Sequence, residues 1–217
     1  MAVAMGFYED SVYPLLVDKF GNPSPIQAIR REIVPCARGT VLEIGVGAGA
    51  NFTYYDASKI SRLYALEPNA GMRRRAQERQ RRTRLDVEFL SLPGERLPLL
   101  DASIDTVVST FTLCTIGRLQ EALTGLVRVL KPGGTLLFLE NSLAPDPRVQ
   151  QWQRRWEPIH RRVFEGLFLT RDIPSLISSA GFRIERLSSA YLSRFPKSWS
   201  HCCYGVAANA SAESRIS

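Results

Sequence analysis

Short apolar runs alternate with helical segments along the chain from Thr40 onward. Between two of these runs, leucine and valine recur at helical spacing from Leu119 to Leu130, and KPGG then indicates a turn. Strands that alternate with helices predict a mostly parallel sheet. Five runs are predicted strands: TVLEIG (40–45), RLYALE (62–67), DVEFLS (86–91), IDTVVST (104–110) and TLLFLE (135–140).

The segment before this region contains one predicted helix and one stretch with two interpretations. In SPIQAIRREIV (24–34), Ser24 suits the N-cap and Gln27 completes a capping-box pattern, so we expect a helix to begin there. The aromatic-rich FYEDSVYPLLVDKF (7–20) is predicted to be partly helical. It either folds over a site as a lid or packs on the outside of the sheet.

After Glu140 the pattern changes to a long segment, residues 142–172, that is rich in Trp, Phe and Arg. Such a segment is too long for an ordinary connection, and α/β folds build ligand sites at the carboxyl ends of strands. A helix is then predicted in IPSLISSAG, with Gly181 as its C-terminal cap. FRIERLSSA and HCCYGVAAN are two further strands, which brings the expected sheet to seven.

The composition, 45% hydrophobic and 23% charged, is that of a soluble globular protein. No apolar run approaches the roughly 20 residues of a membrane span, and the first residues lack a signal-peptide pattern. The four cysteines show no metal-ligand spacing, and the adjacent Cys202 and Cys203 are poorly suited to a disulfide. We therefore expect a cytoplasmic protein in a reducing setting, with no bound metal.

Much of the formal charge of +7 lies in MRRRAQERQRRTR (72–84). The favoured interpretation is the solvated face of a surface helix. Peripheral contact with an anionic membrane is the second. Nucleic-acid binding is not expected, because no aromatic residues interleave the run and no recognition motif accompanies it. The sequence predicts no oligomeric state.

The stretch TVLEIGVGAGANF (40–52) carries the clearest chemistry, because a strand runs directly into Gly45, Gly47 and Gly49. An ATP-type phosphate loop needs a Lys-Ser/Thr pair after its last glycine, and none follows here. A dinucleotide site fits G-x-G-x-x-G/A, with Glu67 about twenty residues further on for ribose hydroxyls. The glycine spacing alone does not separate a dinucleotide from another adenosine ligand.

Glu43 shifts the balance between these ligands. It interrupts an apolar strand two residues before Gly45, where an uncompensated carboxylate is costly. A pyrophosphate nearby would raise that cost, whereas S-adenosylmethionine is cationic and contains no phosphate, so a carboxylate near its positive end is favourable. The alternative is that Glu43 pairs with an arginine or caps a backbone amide.

From Thr40 to Asn141 the chain resembles the class I, Rossmann-like S-adenosylmethionine-dependent methyltransferases. The motifs follow one another in the family's order: VLEIGVGAGANF, LYALEPN, LPGERLPLLDASIDTVVSTFTL and RVLKPGGTLLFLE. The resemblance implies an α/β, doubly wound, mostly parallel seven-stranded sheet with helices on both faces, an antiparallel last strand and an insertion after strand 5. It also implies S-adenosylmethionine as the cofactor and S-adenosylhomocysteine as its product.

On this interpretation the chain is a single methyltransferase domain, residues 1–217, with four sections. Residues 1–38 hold the N-terminal helices and possible lid, and 39–141 form the cofactor-binding half. Residues 142–172 form the substrate-side insertion, and 173–217 the C-terminal helix and strands.

Carried over position by position, the resemblance implies a set of cofactor contacts. Glu67 would accept from both ribose hydroxyls, since a carboxylate is an acceptor-only group. Two positions depart from the family pattern, Pro93 where many relatives have Asp and Cys114 where many have His; we interpret Cys114 as a small buried residue. The contacts are Glu43, Gly45, Gly47, Gly49, Asn51 and Phe52 at the methionine end, Glu67, Pro68, Met72, Gly94 and Glu95 at the ribose and adenine, and Thr110, Phe111 and Leu113 after the fourth strand.

GANF, PGE, TLCTI, RVLKPGG and QWQRRWEP…LTR are similar to the methyltransferase-like group that methylates alkyl thiols. This likeness implies S-methylation of a small hydrophobic thiol, which is already partly ionised near neutral pH. O- or N-methylation of a lipid, quinone or other small molecule is the alternative. Two rivals come from other classes, namely an NAD(P)-dependent oxidoreductase and a cofactor-binding module without turnover.

The sequence assigns no catalytic residue. His160 in the insertion is a candidate base, and His201 begins the last strand; each is more often structural than catalytic. Together with His160, the aromatic residues Trp152, Trp156 and Phe164 either form an acceptor pocket or are ordinary core of the insertion.

Overall fold

The computed structural model describes residues 22–94, 97–163, 166–193 and 195–210. In this part of the chain it contains one seven-stranded sheet with helices on both faces. The aromatic segment 7–20, with its two interpretations, lies outside the described residues. The division of the domain into four sections stays a prediction.

The strands lie in the order β3-β2-β1-β4-β5-β7-β6. β7 runs antiparallel to β5 and to β6, whereas the other neighbouring pairs are parallel. The predicted mostly parallel sheet with an antiparallel last strand is therefore confirmed. The strands are β1 Gly39–Ile44, β2 Ile60–Leu66, β3 Val87–Leu90, β4 Ile104–Thr110, β5 Leu130–Asn141, β6 Phe182–Tyr191 and β7 His201–Asn209.

Helices cover the sheet in two layers. Helices α1 and α2 bury their apolar residues on one face, and α3 and α5 bury theirs on the other. The insertion contributes a longer helix, α4, which contacts the short α6 beside the last two strands. The helices are α1 Ser24–Ile33, α2 Ala70–Gln80, α3 Leu119–Val129, α4 Pro147–Val163, α5 Ile173–Ser179 and α6 Lys197–Ser200.

Alternate residues of the central strands supply these two layers. In β1, Val41 packs in the layer of α1, while Leu42 and Ile44 pack in the layer of α3. Because both faces are covered, the successive residues Val41 and Leu42 are both apolar although they point to opposite sides of the sheet. Glu43 shares the face of Val41 by strand alternation, so its carboxylate is directed toward the layer of α1.

Two local predictions were wrong. The KPGG turn (131–134) lies within β5 as a bulge: Ile104 pairs with Leu130 and Thr106 with Thr135, so the residues between are extra on the β5 side. Ser24 is not the N-cap of α1 but its first residue; the cap is Pro23, which has no side-chain oxygen.

The last predicted helix is confirmed in type and in its ending. Helix α5 ends at Ser179, and Gly181 follows with φ of 102°, a left-handed conformation that glycine adopts without a Cβ penalty. Asp172 caps its first turn, because the side chain accepts from the Ser175 amide.

We expect Gly205→Ala to destabilise the antiparallel end of the sheet. A Cβ at Gly205 would lie 1.9 Å from Arg186 O, at the irregularity where the β6–β7 register shifts. Relieving that overlap requires a backbone shift, and we expect the free energy of unfolding to fall by about 1–3 kcal/mol in urea titrations. Gly117→Ala is the control, because a Cβ there meets nothing within 4 Å. Equal losses in both variants would contradict this packing.

Candidate functional site

The loop after β1 turns on three glycines with left-handed backbone conformations. Their φ angles are 63° at Gly45, 56° at Gly47 and 79° at Gly49. A Cβ at Gly45 would lie 2.2 Å from Thr112 Oγ1, and one at Gly49 would lie 2.8 Å from the Phe52 ring. A Cβ at Gly47 would meet nothing within 4 Å. Gly45 and Gly49 therefore allow the loop to pack, whereas Gly47 leaves open space above it.

Glu67 lies beside this open space, directly after β2. Its Oε2 accepts from the Gly47 amide at 2.8 Å and its Oε1 from the Asn69 amide at 2.9 Å. The side chain is nearly buried, and burial raises the pKa of Glu67 while the two amides oppose the rise. Each carboxylate oxygen accepts only one of these bonds, so lone pairs remain for hydroxyl donors.

Beneath the loop, the Glu43 carboxylate is buried in a network of hydrogen bonds. Asn51 Nδ2 donates to its Oε1 at 2.8 Å, and the Tyr55 hydroxyl donates to its Oε2 at 2.7 Å. Burial raises the pKa of Glu43 to about 7, against the opposing effect of these two donors and of Arg30. Protein groups compensate Glu43, but the hydrogen-bond donors are the side chains of Asn51 and Tyr55 and not the arginine or backbone amide of the sequence alternative.

Arg30 of α1 completes this network, and the sequence reasoning missed it. Its Nη1 donates to Thr110 Oγ1 at 2.9 Å and also to Asn51 Oδ1. Its Nε is buried without a hydrogen-bond partner among the described residues. Burial lowers the pKa of the guanidinium, and the charge of Glu43 opposes that shift. A signal existed in the sequence: Arg30 occupies one of four positions on the buried stripe of α1.

A third buried carboxylate, Glu140 at the end of β5, orders the loop after β4. Its Oε1 accepts from Ser109 Oγ at 2.6 Å and from the Thr112 amide at 3.1 Å, and its Oε2 from the Cys114 amide at 3.1 Å. Burial raises the pKa of Glu140. The sequence reasoning included this residue only as the end of a strand, although an acidic residue ending an apolar run was visible.

Cys114 is a small buried residue, as expected from the sequence. Its side chain is fully buried, and burial raises the pKa of its thiol well above the ordinary value. The thiol therefore stays protonated near neutral pH and is a poor nucleophile.

The other predicted cofactor residues divide into open and buried positions. Phe111 is partly buried with φ of 57°, and Pro68 is exposed. Glu95 lies outside the described residues, and Gly94 is in close contact, since a Cβ there would lie 2.8 Å from the Ile116 side chain. The buried side chains support the loops from below; they are Asn51, Phe52, Met72, Thr110 and Leu113.

The insertion does not bring all of its predicted acceptor residues together. Trp152 is 54% exposed on α4 and stacks under Arg155, so it does not line a pocket with the others. Trp156 instead packs edge-on against Trp199 at 5.7 Å, and His160 contacts the same ring at 4.7 Å. Trp152 thus lies apart from Trp156 and His160, on the solvent side of α4, and its contact with an acceptor stays a prediction.

The remaining predictions for this region concern His160, Phe164 and metals. His160 is buried, with Nδ1 3.1 Å from the Trp156 carbonyl one helical turn earlier. Phe164 lies outside the described residues. Within the described ranges, no cluster of three or more His, Cys, Asp or Glu forms a metal site, and no helix is long and apolar enough to cross a membrane.

Comparisons with known proteins agree with this geometry. Residues 42–138 match a family model described as a methyltransferase domain. The chain is 35% identical to thiol S-methyltransferase TMT1B of Rattus norvegicus, over 66% of this chain and 59% of the relative. It is 29% identical to thiol S-methyltransferase TMT1A of Homo sapiens, over 76% of this chain and 67% of the relative.

A solved structure supports the fold in particular. A SAM-dependent methyltransferase from Aquifex aeolicus superimposes with a TM-score of 0.61, at 23% identity, over 90% of this chain and 97% of that one. At this identity the likeness shows the fold alone. The sequence match to the rat relative spans 59% of its length, less than two thirds.

The glycine loop predicts a difference between two substitutions that look alike in sequence. Gly45→Ala and Gly47→Ala both place a Cβ at positive φ, at a cost of about 1–2 kcal/mol each. Only Gly45→Ala also overlaps Thr112, so we expect its free energy of unfolding to fall by about 1–3 kcal/mol more. Thermal or urea denaturation measures the difference. If Gly47→Ala is equally destabilised, the open space above Gly47 is not present.

Proposed function

We propose that this chain, whose residues 42–138 match a family model described as a methyltransferase domain, transfers the methyl group of S-adenosylmethionine to the sulfur of a small thiol. One observation carries the cofactor part: the nearly buried carboxylate of Glu67 lies beside the open, left-handed Gly47. The thiol is proposed from the similarity to two proteins named thiol S-methyltransferases.

The residues at the loop fit the cofactor that this domain family implies. Glu67 retains acceptor capacity for two ribose hydroxyls, and a side chain at Gly47 would fill the space a ligand needs. Asn69 caps α2, since its Oδ1 accepts from the Met72 amide, and this fixes the segment after Glu67. When bound, the cofactor supplies an electrophilic methyl group on a positively charged sulfur.

Electrostatics at this edge favour a phosphate-free ligand. Glu67 directly follows β2, and its nearly buried carboxylate lies beside the open space at Gly47, whereas Glu43 is already compensated by Asn51, Tyr55 and Arg30. A pyrophosphate close to Glu67 would meet like charge, whereas a sulfonium or an ammonium group would be attracted. The oxidoreductase alternative is therefore not favoured.

The chain's own task toward a thiol is mainly to bind and orient it. A thiol is partly ionised near neutral pH, so holding it in line with the methyl group removes much of the entropic barrier. The alternatives, O- and N-methylation, place a different demand on the protein. A hydroxyl acceptor, for example, normally needs a general base to remove its proton.

The cellular location of this protein and its contact with membranes are also proposals. A reducing, cytoplasmic setting is the first, and it rests on the cysteine pattern of the sequence alone. Membrane contact through the arginines of 72–84 is less well supported, because Arg73 and Arg79 donate to the backbone carbonyls of Glu67 and Ala48 and so brace the loop.

Turnover with a panel of acceptors tests the proposed reaction. The protein is incubated with S-adenosylmethionine and an aliphatic thiol, an aromatic thiol, a phenol or an amine, and the methylated products are quantified by mass spectrometry. We expect methyl thioethers and S-adenosylhomocysteine in equal amounts. Cofactor binding without turnover of any acceptor would instead identify a binding module, and turnover of phenols or amines alone would contradict S-methylation.

Glu67→Ala tests the cofactor seat separately from the chemistry. Losing the acceptor for ribose hydroxyls should weaken S-adenosylhomocysteine binding by about 1–3 kcal/mol, measured by titration calorimetry. Glu88→Ala is the control, because Glu88 is an exposed carboxylate on the neighbouring strand β3. An unchanged dissociation constant in Glu67→Ala would remove this residue from the cofactor site.

A further inference from the structure

A cavity of about 450 Å³ lies beyond the carboxyl end of β5. The segment 142–145 forms one wall and the start of α5 another, while β6 and β7 form the floor. Leu187 and Ser189 of β6 line it, as do His201 and Cys203 of β7. None of these residues belongs to the glycine loop or to the aromatic group of the insertion.

His201 is the one imidazole that lines this cavity, and its tautomer is fixed by the backbone. Its Nδ1 lies 3.0 Å from the carbonyl oxygen of Ser142. A carbonyl oxygen only accepts, so Nδ1 carries the proton and the Nε2 of the neutral ring has a free lone pair. That Nε2 is buried and has no hydrogen-bond partner among the described residues. A buried polar atom without a partner is unusual in a folded protein and indicates a ligand or a chemical role.

Three side chains with ionisable groups lie near His201 or share the cavity with it, and none of them is a cation. The Tyr191 ring lies 5.1 Å away on the paired strand, and Asp172 lines the same cavity from the start of α5. Burial raises the pKa of the Cys203 thiol to about 12, so this neighbour is neutral near neutral pH. No positively charged side chain of the described residues lines the cavity.

The cavity lies at the same edge of the sheet as the proposed cofactor site at Glu67 and Gly47. Along the carboxyl edge the order is Glu67 after β2, the glycine loop after β1, Thr110 at the end of β4, and then the cavity beyond β5. Neighbouring strands are about 4.8 Å apart, so β7, which carries His201, lies roughly 14 Å from β1 and roughly 10 Å from β4. An acceptor in the cavity therefore meets the methyl group only if the methionine end of the cofactor extends across β4 toward β5.

We propose that this cavity binds the acceptor thiol and that His201 Nε2 takes its proton. The inference rests on the proposed methyltransferase function and adds the acceptor site and its base. Serine, aspartate and glutamine side chains share the lining with leucine and proline, so the acceptor class is a small thiol that also carries a hydrogen-bonding group.

The step balances without a further reactant. The thiol proton passes to Nε2, and the sulfur lone pair forms a bond to the methyl carbon while the bond from that carbon to the sulfonium breaks. Both electrons of the broken bond stay on the departing sulfur, which becomes neutral in S-adenosylhomocysteine. The imidazolium keeps its Nδ1 donor on the Ser142 carbonyl and then returns the second proton to solvent.

His201→Asn tests the base through the acidity of the acceptor. The variant is compared with the wild type on an aliphatic thiol, largely protonated at neutral pH, and an aromatic thiol, largely ionised there. Loss of the base should lower kcat/KM on the order of 10²-fold for the aliphatic thiol and less than about 3-fold for the aromatic one. His160→Asn, the same change at the other histidine, is the control. It should lower kcat/KM for the aliphatic and the aromatic thiol by the same factor.

The outcomes separate this inference from the proposed function. If the wild type methylates neither thiol, the proposed function fails. If it methylates both and His201→Asn lowers both equally, or lowers neither, His201 is not the base. The dissociation constant of S-adenosylhomocysteine, measured on the same variant, should stay within about 2-fold of wild type because His201 lies beyond β5.

A binding measurement without turnover tests the cavity itself. Ser189→Leu adds volume inside it and should weaken binding of the methyl thioether product at least 10-fold by calorimetry, with unchanged binding of S-adenosylhomocysteine. Glu185→Leu is the control, since Glu185 is also exposed on β6 but does not line the cavity. Equal thioether affinities in the two variants would place the acceptor elsewhere.

Discussion

The buried carboxylate of Glu43 is the constraint on which the candidate site depends. A carboxylate inside a sheet is costly unless it is paired and hydrogen-bonded, and here Asn51, Tyr55 and Arg30 meet that requirement. Because Asn51 also donates to Thr110, one network joins β1, the glycine loop, α1 and the end of β4. The loop is thus held from below, which leaves its upper side, at Gly47, free for a ligand.

The carboxyl edge of the sheet has two halves with different chemistry. On the β2–β1 side, carboxylates and left-handed glycines form a seat for a cationic, adenosine-bearing ligand. On the β5–β7 side, a cavity of mixed polarity contains a histidine whose tautomer is fixed by the Ser142 carbonyl. Glu140 lies between them and orders the loop after β4 through the amides of Thr112 and Cys114. In the proposed reaction, a methyl donor bound on the first side and an acceptor bound on the second would meet at this edge.

Much of the fold was predictable because both faces of the sheet are covered, so the strands are nearly continuous apolar runs with recognisable motifs between them. The glycine loop was predictable for a similar reason, since Gly45, Gly47 and Glu67 lie on one short segment of strand, loop and strand. The cofactor contacts of these residues stay a prediction. Arg30 and His201 were not assigned roles, because their partners are distant in sequence: 80 residues separate Arg30 from Thr110, and 59 separate His201 from Ser142. The exposed position of Trp152 could not be predicted, because the rotation of α4 about its axis depends on tertiary packing.

The most direct measurement of the central claim is a crystal structure with S-adenosylhomocysteine and a methyl thioether product bound together. The account predicts ribose hydroxyls within hydrogen-bond distance of Glu67, above Gly47. It also predicts the thioether sulfur in the cavity beyond β5, next to His201 Nε2. S-adenosylhomocysteine bound away from Glu67, or a thioether bound among the aromatic residues of α4 instead, would contradict the division of the edge into donor and acceptor halves.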